Sequence, residues 1–159
     1  MEKPYRKNVG IMLINDQNKI WAGLRADKRG WQMPQGGIDS TETPLHAAYR
    51  ETYEEIGIPK SQLHLIAKST RWYTYDFPAT QKTGISRNFK GQTQKWFLFR
   101  FLGQDADFDF HKNPDEIEFS SFKWTDSATL LRQVVFFKKP VYQQVIDEFL
   151  PLFPALNSD

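Results

Sequence analysis

The sequence predicts a layered α/β or α+β domain, and three observations lead there. Runs rich in β-branched and aromatic residues recur at about 9–14, 20–24, 63–70, 72–77, 96–102 and 119–124, as strands require. Two segments, 44–56 and 140–150, instead repeat their apolar residues at the helical period. Strands interspersed with a few helices bury their apolar faces by packing as layers. A chain of 159 residues suits one core, since single domains commonly hold roughly 100–200 residues. With no repeat, low-complexity tract or Gly/Ser linker, residues 1–159 are expected to form a single domain.

The helix at 44–56 has both ends marked. Thr43 suits the N-cap, Pro44 the first helical position, and Gly57 followed by Pro59 stops it. Leu45, Ala48, Thr52 and Ile56 fall on one line, a modest stripe for packing on a sheet. A shorter helix is expected at 128–134, capped by Asp126 or Ser127. The last helix, 140–150, should bury Tyr142, Val145, Ile146, Phe149 and Leu150.

Composition excludes several classes of function. A hydrophobic share of 40% with 25% charged residues is ordinary for a globular protein and removes disordered and collagen-like classes. Net charge is only +2, far from the balance of a protein that coats nucleic acid, so an anionic substrate must be handled locally. Cysteine is absent, which rules out thiol chemistry and disulfides. The opening residues Met1 to Lys7 show neither a signal peptide nor a membrane span, so a cytoplasmic location without membrane attachment is expected. The 15% aromatic share serves the core and leaves rings for stacking on bases.

Chemistry concentrates between Gly36 and Ile58. Glu51, Glu54 and Glu55 stand at i, i+3 and i+4, so their carboxylates leave neighbouring positions on one helix and repel one another. An acidic, solvated helix face is the plain explanation for such a triplet. Context favours another: hard divalent cations bind carboxylate oxygens, keep several waters and are shared with substrate phosphates. Rigid helix-borne ligands suit displacement at phosphorus, where positioning and charge neutralisation do most of the work. The Gly36-Gly37 turn, Glu42, Arg50 and Gly57 stand at fixed offsets from the acids and match the pattern G-x5-E-x7-R-E-U-x-E-E-x-G-U, where U is aliphatic. By residue usage, such a match arises by chance on the order of once in a million chains of this size.

The chain therefore resembles the Nudix hydrolases. The resemblance implies a mixed β-sheet packed between helices in an α/β/α sandwich, with residues 36–58 forming a loop-helix-loop. It also implies Glu51, Glu54 and Glu55 as Mg2+ ligands, Mn2+ being an alternative, with Glu54 and Glu55 most direct and a backbone carbonyl of Gln35 or Gly36 joining them. Arg50 and Glu42 are expected to form a structural ion pair, with Gly37 and Gly57 also structural. Thr52 departs from the pattern, where an aliphatic residue is usual; it points toward the core stripe, so it should alter packing and not chemistry.

Four flanking segments narrow the substrate: Tyr5 to Gly10, Trp31 to Gly37, Gln94 to Leu98 and Arg132 to Lys138. They resemble a bacterial branch of that family acting on the 5′-triphosphate ends of RNA and on diadenosine polyphosphates. Arg6, Arg25 and Lys138 are suited to meet phosphate oxygens. Phe137 with Val135 is suited to sandwich a base. Core packing is the competing reading for Val135, Phe136 and Phe137. A general base must activate water, and the resemblance selects Glu118, before the strand at 119–124, with Glu116 and Glu55 as alternatives. The expected reaction is removal of pyrophosphate from triphosphorylated RNA, leaving a 5′-monophosphate and promoting message decay, with no obligate protein partner. Diadenosine polyphosphates or free (d)NTPs are alternative substrates, and a non-catalytic nucleotide- or RNA-binding module is the rival from another class.

Other features point away from function. Asp105, Asp107, Asp109 and Glu116 imitate a calcium loop, but Phe110 stands where the sharp turn needs Gly. His46, His64 and His111 lack metal-like spacing and are expected at the surface, and Tyr73 and Tyr75 are expected to be sheet residues outside the site.

Overall fold

The computed structural model describes residues 2–81 and 84–156. Two long strands, β1 (Tyr5–Ile14) and β7 (Gly91–Phe101), run parallel in continuous register from Tyr5 opposite Gly91 to Ile14 opposite Arg100. All other pairings are antiparallel, which makes the sheet mixed. β2 (Ile20–Arg25) and the short β4 (Gln35–Gly37) pair with β1, while β3 (Trp31–Gln32) and β8 (Phe119–Thr125) flank β2. On the far side β7 divides its length between β6 (Tyr73–Asp76) and β5 (Leu63–Lys68).

Strand alternation sends side chains to two cores. Val9, Ile11, Leu13, Phe97 and Phe99 pack under helix α1 (Pro44–Ile56), with Ala47, Ala48 and Ile56 on its inner stripe. Met12, Ile14, Trp96 and Leu98 face the other way, against Leu130 of α2 (Ser127–Gln133) and Tyr142, Val145, Ile146 and Phe149 of α3 (Lys139–Phe149). Helices thus cover both faces of one mixed sheet, the α/β/α sandwich expected.

Local signals act as the sequence implies. Thr43 Oγ1 accepts from the His46 N–H at 3.2 Å, and Gly57 ends α1 in the left-handed region at φ 77°. Asp126 caps α2, accepting from the Thr129 N–H at 2.7 Å. Thr52 is fully buried and donates its hydroxyl to the Ala48 carbonyl at 2.7 Å, so the unusual polar group in the stripe is satisfied. Leu150 differs from expectation: it lies past the end of α3 in a 3-10 turn (Leu150–Leu152) and is 49% exposed, because the turn rotates it off the buried face. The sequence does not predict β3 and β4, and β1 and β7 begin several residues before the expected strands.

The acidic loop around 105–116 is pinned by rings. Phe108 and Phe110 pack on Trp21 and Phe122, and the Trp124 indole donates to Asp105 at 2.9 Å. Among the described residues no group of three acids, histidines or cysteines is arranged to hold a metal ion, in this loop or elsewhere. His46, His64 and His111 are exposed.

Candidate active site

A cleft of about 380 Å3 opens beside the sheet where β1, β4 and β7 meet α1 and the turn preceding α3. Glu51, Glu55, Glu116 and Glu118 line it together with Arg6, Arg25 and Lys138, so acids face cations across one cavity. Tyr75, Phe77 and Phe137 add an aromatic wall.

The loop ahead of α1 is clamped to the helix by Arg50. Its guanidinium donates to both oxygens of Glu42, at 2.5 and 3.1 Å, and to the Gly37 carbonyl at 2.9 Å. It also donates to Glu51 at 2.8 Å and Glu54 at 3.2 Å. Glu42 accepts in addition from the Asp39 N–H at 2.9 Å. Arg50 foremost holds the Glu42 carboxyl down at about 2, so the half-buried pair remains charged. This clasp fixes the loop relative to the acids of α1.

Close approach explains the two glycines of the loop. A Cβ on Gly36 would sit 2.0 Å from the carboxyl carbon of Glu51, and one on Gly37 would sit 2.2 Å from an Arg6 nitrogen. Only bare backbone lets the Glu51 carboxylate and the Arg6 guanidinium lie against this turn.

Glu51 and Glu55 form a coupled pair. Burial drives the Glu55 carboxyl well above the usual range, with the negative charges of Glu51 and Glu118 adding to it. The Gln35 N–H donates to Glu55 and works against that rise. Glu51 is raised as well, by burial, although Arg50 opposes the shift. Glu118 is raised by burial of its carboxyl beside the cleft, with Arg25 and Lys138 pulling the other way.

Glu54 departs from expectation. Its side chain is 38% exposed, bonded to Arg50 and absent from the cleft lining, because an i+3 step from Glu51 rotates it toward solvent while i+4 brings Glu55 inward. The three acids therefore do not converge as a set. The pair that does converge fits a divalent cation: two desolvated carboxylates, with Gly36 backbone against Glu51, present oxygen donors whose mutual repulsion a cation would relieve.

Among the cations, Arg25 is paired to Asp27 at 2.5 Å. Lys138 is 4% exposed, donates to Gln32 Oε1 at 2.9 Å, and has its ammonium pushed down to about 7, chiefly by burial and then by Arg25. Its charge toward an anion is therefore weaker than the sequence suggests. Phe137 packs its ring 5.8 Å from Tyr75 and lines the cleft, whereas Val135 is half-buried outside the lining and Phe136 is 69% exposed, so neither belongs to the core. Tyr75, set aside from the sequence, lines the cleft while also sitting in β6, and Tyr73 instead donates to Glu148 at 2.5 Å. The buried amides Asn8, Gln32 and Gln92 also escape a reading of the sequence; polar residues on the inward face of long strands were the available signal.

A mixed sheet between helices carries a clamped acidic helix that faces cations across a cleft, an arrangement suited to a divalent ion and a phosphorylated substrate. A model of the NUDIX domain matches residues 4–145, and the chain belongs to that family. Nudix hydrolases generally use divalent metal ions. The chain is 43% identical over 148 residues to an RNA pyrophosphohydrolase of Zymomonas mobilis, covering 91% of this chain and 94% of the relative. It is 44% identical over 153 residues to an RNA pyrophosphohydrolase of Rickettsia typhi, covering 94% and 92%. The E. coli dihydroneopterin triphosphate pyrophosphohydrolase shares the fold at a TM-score of 0.69 and 19% identity, over 92% of this chain and 99% of that one.

Proposed function

We propose that this protein is an RNA 5′-pyrophosphohydrolase that removes pyrophosphate from triphosphorylated RNA, leaves a 5′-monophosphate and so promotes message decay in the cytoplasm. The observation carrying the reading is the coupled Glu51–Glu55 pair facing Arg6 and Arg25 across one cleft, in a chain more than 40% identical to RNA pyrophosphohydrolases over nearly its whole length. Glu51, Glu54, Glu55 and Glu118, with the carbonyl of Gln35 or Gly36, would hold Mg2+ or Mn2+; Glu54 would have to leave Arg50 to join them. Bound divalent ions supply charge neutralisation and a more acidic water.

The chain's own groups do the rest. Arg6 and Arg25, with Lys138 when protonated, receive phosphate oxygens and orient the anhydride. Glu118, its carboxyl raised above the usual range and at the cleft wall, accepts the proton of the attacking water; Glu116 and Glu55 are the alternatives. Phe137 offers a face to a base, with Val135 flanking it. The 159 residues act as one domain, on the reading that both cores share a single sheet, and the chemistry calls for no obligate partner. No helix of the described residues is long and apolar enough to cross a membrane.

Purified protein, Mg2+ and 5′-triphosphorylated RNA should yield pyrophosphate and monophosphorylated RNA. Cleavage confined to diadenosine tetraphosphate or dGTP, with RNA ends untouched, would reject the RNA assignment.

A further inference from the structure

On the cleft floor lies a ring of polar side chains joined by hydrogen bonds whose direction is set at one point. Trp96 is fully buried, and its indole N–H, which can only donate, reaches Gln94 Oε1 at 3.1 Å. Gln94 Oε1 must therefore accept, which leaves Gln94 Nε2 to donate to Asn8 Oδ1 at 2.8 Å and to Gln35 Oε1 at 3.1 Å. With its oxygen so engaged, Asn8 donates Nδ2 to Gln92 Oε1 at 2.7 Å, and Gln92 donates Nε2 to the Tyr75 hydroxyl oxygen at 2.6 Å. Gln35, its own oxygen bound by Gln94, has only its amide N–H left to turn toward the same phenol, which brings the ring of side chains round to its start. Asn8, Gln92 and Gln94 are each no more than 2% exposed, so water does not compete for these bonds. Flipping any one amide would set donor against donor in a buried place.

We infer that the Trp96 indole imposes this sense on the whole ring and thereby makes the Tyr75 hydroxyl a hydrogen-bond donor into the cleft. Its oxygen accepts from Gln92, and every amide oxygen of the ring already holds a donor, so its proton is directed away from them. Arg6 and Arg25 line the same cavity, which places that proton where an anionic oxygen would lie. For the identity of that oxygen, a phosphate of the RNA 5′ end, the inference rests on the function proposed above; the direction of the ring does not. Tyr75 is then the group touching substrate, and Trp96, Gln94, Asn8 and Gln92 are positioning residues acting through it.

Gln94→Glu tests this, because Gln94 lies behind the cleft lining and a carboxylate there accepts on both oxygens. Asn8 then presents Nδ2 to the introduced carboxylate, its oxygen meets Gln92 Nε2, and Gln92 Oε1 captures the Tyr75 proton, reversing the sense. In the unaltered protein the Gln92 side-chain NH2 should give a nuclear Overhauser effect to the Tyr75 ring protons, and in Gln94→Glu that effect should vanish. For triphosphorylated RNA with Mg2+, KM should rise about tenfold in Gln94→Glu and in Tyr75→Phe, with kcat held within about twofold and the double variant no worse than Tyr75→Phe alone. Should Gln94→Glu not fold, Asn8→Asp imposes the same reversal from the next position. Absence of the effect in the unaltered protein, or additive losses in the double variant, overturns the inference. If the effect is present but no triphosphorylated RNA is cleaved, the ring direction stands and the function reading falls.

Discussion

Replacing Glu55 by glutamine should stabilise the protein in the absence of divalent ions while removing its activity. Glu55 is 8% exposed, and burial, followed by the charges of Glu51 and Glu118, raises its carboxyl well above the usual range. Glutamine preserves the shape and the N–H donor toward Glu51 but cannot ionise. A carboxyl whose folded pKa lies above its unfolded one carries no penalty at low pH, where both states are protonated. The penalty grows as pH rises from about 4.5 through the folded value and stays in full above it. At pH 8 the variant should therefore be more stable by about 1–3 kcal/mol, the scale of a buried polar group left without full compensation. For a chain of this length that is roughly a 3–10 °C rise in Tm. Scanning calorimetry in EDTA at pH 8 and pH 4 reads it: the gap should be open at pH 8 and closed at pH 4. Added Mg2+ should then favour the unaltered protein, by about 2.7 kcal/mol at one hundred times its dissociation constant, and leave the variant behind. A variant less stable than the parent at pH 8 in EDTA, or equally responsive to Mg2+, refutes the reasoning.

Three further outcomes follow from the same geometry. Glu42→Gln should lose on the order of 2–3 kcal/mol in urea denaturation at pH 7, because the Glu42 carboxyl is held at about 2 by Arg50; that contribution is complete above about 4.5 and lost as pH falls through about 2, so the two proteins should converge in strong acid. Gly36→Ala should lower kcat about a hundredfold with little change in far-UV circular dichroism, since its methyl would strike the Glu51 carboxyl and displace it by an ångström or so. Phe137→Ala should cut kcat/KM for triphosphorylated RNA about tenfold, the worth of one stacked base, and an unchanged value would remove Phe137 from substrate binding.

How far the sequence could be read depended on how local each signal is. α1 was legible to its ends because Thr43, Pro44 and Gly57 act within a turn of themselves. The strands of two and three residues, β3 and β4, are too short to carry a measurable period. The early halves of β1 and β7 stayed hidden because Asn8, Gln92 and Gln94 interrupt the apolar alternation, and those interruptions build the cleft floor. In the site, the Arg50–Glu42 clasp came from the family resemblance, and its bonds are present in the structure. The burial of Lys138 and the inward face of Tyr75 depend on contacts between residues far apart in sequence, which no single-segment pattern records, whereas the outward turn of Glu54 is local, set by its i+3 step from Glu51 and its bond to Arg50.

The central claim is that divalent ions bind at α1 and the turn before it. Titrating isotope-labelled protein with Mn2+ and following paramagnetic broadening of backbone amides tests it most directly. The account predicts early loss of signals from residues 35–37 and 51–55, abolished by Glu55→Gln. Broadening centred on residues 105–116, or none below millimolar Mn2+, would contradict it.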